Sequence, residues 1–123
     1  MTMEECYQQL GGDAAEVLER LISPAFIQKI IGKFPEDSSF QNLCKGIQDG
    51  QRESAFLAAH TLKGVCQNLG FGKLLVSVEK ITELLRGEAE KIPASALPLL
   101  DEVRRDYEET VAVIRLYTGE HSL

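Results

Sequence analysis

The sequence lacks the features that mark several broad classes of protein. It has only 13 lysines and arginines against 19 aspartates and glutamates, and its net charge is −6 at pH 7. Binding to nucleic acid or to an anionic membrane depends on basic patches, and none is visible. No stretch approaches the roughly 20 apolar residues of a membrane-spanning helix. We therefore expect no nucleic-acid partner and no membrane association.

Cysteine is also scarce. Cys6, Cys44 and Cys66 are odd in number and widely spaced, which suggests neither a disulfide framework nor a zinc site. Each is expected to behave as a small apolar residue in a reducing compartment. The first residues carry Glu4 and Glu5 and lack the apolar core of a signal peptide. These observations predict a cytoplasmic protein.

Helix signals are present along the whole chain. Thr2-x-x-Glu5 has the form of a capping box, and Asp13 is placed to cap a second helix. Ser23–Pro24 is placed to begin a third helix, which Pro35 ends. Later apolar residues recur at spacings of three and four. We predict four further helices. Three begin at or near Asp37, Gln51 and Lys73, and the last has Pro98 within its first turn. No segment alternates as a strand would.

The short connections predict antiparallel neighbours. The expected fold is all-α, an up-and-down antiparallel four-helix bundle with additional short N-terminal helices. We expect one domain over residues 1–123, with N-terminal helices to about residue 35, a bundle core over about 37–118 and a tail over 119–123. Met1 and the capped first helix favour a free-standing protein over a piece of a longer one.

One predicted helix is unusual. On a helical wheel the stretch 55–69 has a single core stripe, and His60 points away from it. Around His60 lie Phe56, Lys63, Gly64 and Gln67 at helical spacings. The core stripe consists of Ala55, Ala58, Ala59, Leu62, Val65, Cys66 and Leu69.

The surface around His60 departs from an ordinary solvated face. Gly64 costs about 1 kcal/mol relative to alanine inside a helix, and nothing local requires it. Such a glycine indicates either close helix packing or a notch that gives a bulky group on the imidazole room. Phe56 and Leu57 would supply apolar docking area, and the charge of Lys63 can offset that of an anion on His60.

The residue types suit phosphoryl transfer. A solvent-exposed imidazole is mostly neutral near pH 7, and its free ring nitrogen can attack phosphorus without a general base. A lone exposed histidine is usually only surface, and what favours function is the coincidence of these residues on one side of a helix. His121 lies in the tail, and Glu83 fits an ordinary polar face. The sequence has no phosphate-binding glycine loop and no carboxylate cluster for Mg²⁺.

The residues also match a known pattern. His60-Thr-Leu-Lys63-Gly64, with Gly70 six residues later, resembles the His-x-Leu-Lys-Gly-x(5)-Gly signature of histidine-containing phosphotransfer (HPt) domains. The resemblance covers essentially the whole chain. It implies that His60 is the phosphoacceptor, that Lys63 stabilises the phosphoryl group, that Gly64 clears space and that Gln67 orients the imidazole or phosphate. Phe71, in the family-like Asn-Leu-Gly-Phe segment, is added to Phe56 and Leu57 as a docking residue.

The implied function is a phosphorelay intermediate that passes a phosphoryl group between receiver domains. The implied partners are response-regulator receiver domains and a hybrid sensor histidine kinase. The chain would be a monomeric carrier without kinase activity, needing no cofactor because the receiver supplies Mg²⁺, and having no metal site of its own. Two alternatives remain: a phosphate-independent helical adaptor that binds receivers, and a phosphatase acting through a labile phosphohistidine.

Overall fold

The computed structural model describes residues 1–87 and 91–121, with the side chains of residues 120 and 121 excepted. This part of the chain is helical and has no strand. The elements are α1 Met3–Leu10, α2 Ala14–Leu21, α3 Pro24–Lys33, a 3-10 turn Phe34–Glu36, α4 Ser39–Gln48, α5 Arg52–Leu69, α6 Gly72–Leu85 and α7 Ala96–His121. In the described ranges, no helix is long and apolar enough to cross a membrane.

The helices begin where their capping residues predict. Thr2 and Glu5 form the reciprocal capping box, the Asp13 carboxylate accepts from the Ala15 N–H, and the Ser23 hydroxyl accepts from the Phe26 N–H. These contacts satisfy N–H groups that a helix leaves unpaired at its start. They join residues two or three positions apart, so they were predictable from sequence.

The predicted bounds differ from the observed ones by small amounts. The third helix ends at Lys33 and continues as a 3-10 turn through Pro35, because proline there lacks the N–H of an α-helical bond but fits a tighter turn. The last helix continues to His121, into the segment predicted as a tail. The side chain of His121 lies outside the described residues.

The four long helices α4 to α7 form the predicted bundle. α4 packs on α5, α5 on α6 and α6 on α7, and α4 also contacts α7. The N-terminal helices cover one side of this bundle: α1 and α3 pack on α7, and α2 packs on α5. One apolar core runs through the molecule and includes Tyr7, Leu62, Phe71 and Ile114, each less than 2% exposed.

Candidate functional site

The candidate site is centred on His60, which lies on the solvent side of α5. The opposite side of α5 is buried, and its three alanines let the neighbouring helices approach closely. His60 itself is exposed. Within the described ranges, its imidazole makes a ring contact but no hydrogen bond or ion pair, so its nitrogens are open to solvent. The predicted orientation of His60 is confirmed.

Three neighbours on α5 define the surroundings of the imidazole. The Phe56 ring is stacked near His60, with 5.9 Å between ring centroids and 22° between planes. Lys63 is half-buried, while Gln67 is exposed at the far end of the same stripe. Lys63 lies three positions after His60, so the two residues are neighbours on the same surface of α5. The imidazole thus has an aromatic ring stacked on it and a lysine about one turn along the helix.

Gly64 leaves open space beside His60. A Cβ built at this position would meet no other atom within 4 Å. Close helix packing therefore does not explain the glycine, and the open space is what the predicted notch requires. At Gly46, by contrast, a Cβ would lie 2.8 Å from the Ala55 backbone of the packed α5 helix.

The C-terminal end of α6 carries a pair of charged residues that the sequence did not assign to the site: Glu83 in the last turn and Arg86 directly after the helix. The Arg86 guanidinium lies 5.2 Å from the centroid of the Phe56 ring. It also binds the Glu83 carboxylate with two hydrogen bonds, Nε to Oε2 at 3.2 Å and a terminal nitrogen to Oε1 at 3.1 Å. The hydrogen bonds and charge of Arg86 lower the pKa of Glu83, and the positive charge of Lys63 adds a smaller effect in the same direction.

Glu83 is an exposed charge, as the sequence had suggested, and its partner Arg86 links it to the Phe56 ring that stacks on His60. Arg86 was not a candidate at all. No local signal could have found either residue, because their position depends on how α6 packs against α5.

Phe71 does not form part of the docking surface, and this prediction is wrong. Its side chain is fully buried and makes an edge-to-face contact with Phe34 at 4.9 Å between centroids. The residue follows Gly70, whose left-handed backbone (φ 75°) ends α5 and turns the chain into the core. Phe56 is half-buried, and Leu57 is 56% exposed, so both remain available for contact with a partner.

The N-terminal helices hold the far end of α5, beside Gln67. Arg20 of α2 donates to the backbone carbonyls of Gln67 and Asn68 at 3.1 and 3.0 Å. The buried Tyr7 hydroxyl of α1 donates to the Leu69 carbonyl at 2.8 Å. These carbonyls have no partner within their own helix. Their capping fixes the last turn of α5.

This geometry suits a nucleophile that carries an anionic group at a protein surface. The imidazole is exposed, Lys63 follows it by about one helical turn, Arg86 lies against the Phe56 ring that stacks on it, and the space at Gly64 is open. Among the described residues, no three His, Cys, Asp or Glu side chains are grouped as metal ligands would be. A family model for the Hpt domain matches residues 2–112.

The chain belongs to the Hpt domain family. Hpt domains are helical phosphocarriers of two-component phosphorelays, where they interact with receiver domains. The matched residues of this Hpt domain include all of α1 to α6 and most of α7. Comparison with curated proteins and with solved structures gave no significant match.

Proposed function

We propose that this Hpt domain carries a phosphoryl group on His60 from the aspartate of one receiver domain to that of another. The observation that carries the proposal is the exposed imidazole midway along α5, with Lys63 one turn further along the helix and open space at Gly64. A carrier of this kind needs access for two partners in turn, which a buried histidine could not provide.

In the forward step the outer ring nitrogen of His60 attacks the phosphorus of an aspartyl phosphate. The new N–P bond forms as the P–O bond to the aspartate breaks, and the aspartate leaves as a carboxylate with the electron pair. The ring is then an imidazolium bearing the phosphoryl group, and it releases its remaining N–H proton to solvent to the extent that pH dictates. The reverse step returns the phosphoryl group to a second aspartate.

The side chains around His60 have distinct tasks in this step. Lys63 and Arg86 stabilise the negative charge that arrives on the phosphoryl oxygens. Gly64 admits the phosphoryl group together with the receiver loops, and Gln67 is proposed to orient the imidazole or the phosphate. Phe56 and Leu57 supply apolar area for docking. Mg²⁺ comes from the receiver, and this chain contributes no kinase activity and no cofactor.

The proposed setting is the cytoplasm, where the chain acts as a monomer downstream of a hybrid sensor histidine kinase. The absence of a membrane-spanning helix from the described residues and the few cysteines, none of them disulfide-bonded, support this setting.

The test is a transfer assay with a labelled phospho-receiver and Mg²⁺, using the wild type and His60→Gln. We expect acid-labile, alkali-stable label on the wild type alone, because only the imidazole can form the N–P bond. Receiver affinity, measured by calorimetry, should stay within a few-fold in His60→Gln. Label on His60→Gln would overturn the proposal. Binding without label on either protein would instead favour the phosphate-independent adaptor, and rapid release of inorganic phosphate from the wild type would favour the phosphatase.

Lys63→Ala is a second variant for the same assay. We expect slower phosphorylation with unchanged helicity, because the side chain is half-buried and its charge acts on the phosphoryl group. A large loss of helicity by circular dichroism would show instead that Lys63 is structural.

A further inference from the structure

The ion pair between Glu83 and Arg86 contributes little to the stability of the fold. It joins the last turn of α6 to the residue that directly follows the helix, and the two side chains are 63% and 50% exposed. Exposed pairs of this kind are screened by water and salt, and many add nothing measurable. The pair nevertheless holds the Arg86 guanidinium against the Phe56 ring, and the same ring stacks on the imidazole of the phosphoacceptor.

The charge of Lys63 also acts on this carboxylate from the neighbouring helix. It adds a small stabilisation of the ionised form of Glu83, after the larger effect of Arg86. The two helices α5 and α6 are connected by Gly70–Phe71 and pack against each other. Glu83 is therefore bound to one cation that we assign to the phosphoryl group, Arg86, and lies in the field of the other, Lys63.

We propose that Glu83 occupies the Arg86 guanidinium while His60 is unmodified and yields it to the phosphoryl group when His60 is phosphorylated. The inference rests on the proposed function. A phosphoryl group has up to two negative charges and three acceptor oxygens, so it binds the arginine fork better than one carboxylate does. The exchange moves side chains only, and no proton or electron is transferred.

The consequence concerns the balance of the transfer reaction. Because Glu83 competes for Arg86, it weakens the hold of the site on the phosphoryl group. A carrier must release its cargo to the next receiver, and an uncontested guanidinium would retain it. Glu83 is thus a residue that sets the transfer equilibrium, without touching the reacting atoms.

The first test compares Glu83→Gln with Glu108→Gln. Both changes remove one negative charge from an exposed carboxylate, but Glu108 lies on α7 beside Pro35 and Gln41, next to α4 and away from the α5–α6 site. We expect Glu83→Gln to shift the equilibrium with a phospho-receiver toward phosphohistidine by about two- to fivefold, and Glu108→Gln to leave it unchanged. Equal effects of the two variants, or a shift toward the phospho-receiver, would overturn the proposal.

A second test does not depend on any receiver. The full chain is phosphorylated with phosphoramidate, and the Nε–H signal of Arg86 is followed by ¹⁵N NMR. We expect the signal to move on phosphorylation of the wild type, and to start from a different position in unmodified Glu83→Gln, where the carboxylate partner is absent. An Arg86 signal that does not respond to phosphorylation would overturn the proposal, even if transfer proceeds normally.

The two tests separate the two proposals. If phosphoramidate phosphorylates His60 and Arg86 responds, but no receiver exchanges phosphate with the wild type, the carrier function fails and the exchange at Arg86 stands. If transfer proceeds and neither readout depends on Glu83, the carrier function stands and the role proposed for Glu83 fails. If His60 accepts phosphate from neither source, both proposals fail.

Discussion

Gly64 lies one turn after His60, in the interior of α5, where an added Cβ would meet open space. Glycine lowers the stability of a helix at such a position because it has more backbone freedom to lose on folding. The nearby side chains do not require it, so the residue serves the surface and not the core.

Gly64→Ala should therefore stabilise the protein, by about 0.5–1 kcal/mol in the free energy of unfolding. Urea denaturation measures this change. Gly64→Gln should keep the fold and slow phosphoryl transfer strongly, because its side chain fills the space beside the imidazole. Near-normal transfer by Gly64→Gln would refute the notch, and a loss of stability in Gly64→Ala would show a packing contact at this position.

At the scale of elements, α1 and α2 act as the C-terminal cap of the helix that carries His60. Tyr7 binds the Leu69 carbonyl from 62 residues away in sequence. Arg20 binds the carbonyls of Gln67 and Asn68 from 47 and 48 residues away. A cap of this kind couples the N-terminal helices to the site, since Gln67 lies in the capped turn. The four-helix bundle alone would leave that turn uncovered.

Tyr7→Phe tests this cap with the loss of one oxygen atom. The buried Leu69 carbonyl would lose its partner, and we expect about 1–2 kcal/mol of destabilisation in urea denaturation. Tyr107→Phe is the matched control. The Tyr107 hydroxyl accepts a long hydrogen bond of 3.4 Å from the Gln41 side-chain amide, in a partly buried position. The control should lose less. An equal loss in both variants would show that the Leu69 carbonyl finds another partner.

At the scale of the whole molecule, the continuous core determines how stability responds to alkaline pH. Cys6 and Cys66 are fully buried, and burial raises the pKa of Cys6 from 9.0 to about 11 and that of Cys66 to about 12. Above pH 9 the unfolded chain loses thiol protons that the folded protein retains. A rise in pH therefore favours unfolding. The neutral thiols make their whole contribution to the free energy of unfolding below pH 9 and lose it progressively above that pH.

The free energy of unfolding should fall between pH 9 and pH 10, by up to about 1.4 kcal/mol per pH unit for each thiol. Urea denaturation at intervals of half a pH unit measures the slope. Cys66→Ala should start from a lower stability and show a smaller slope, because Cys6 and Cys44, whose pKa values burial also raises, are then the thiols that remain. An unchanged slope in Cys66→Ala would assign the alkaline loss to other groups. From pH 10 onward Tyr7, whose pKa is also raised by burial, steepens the fall.

The sequence by itself determined the features that depend on near neighbours along the chain. Helix starts at Thr2, Asp13 and Ser23 follow from contacts over two or three residues. The two faces of α5, and with them the exposure of His60, follow from the 3.6-residue period of the helix. The His60-Thr-Leu-Lys63-Gly64 motif is contiguous, so it predicted the family without knowledge of the packing.

Only the tertiary structure decided which distant residues join the site. It buried Phe71 against Phe34 and placed Arg86 over Phe56. It brought Arg20 to the carbonyl end of α5. These contacts depend on how helices rotate and pack against one another, which a single helix's periodicity does not specify. The physical reason is that the free energy of such contacts is shared among many buried side chains of several helices, so no short segment encodes them.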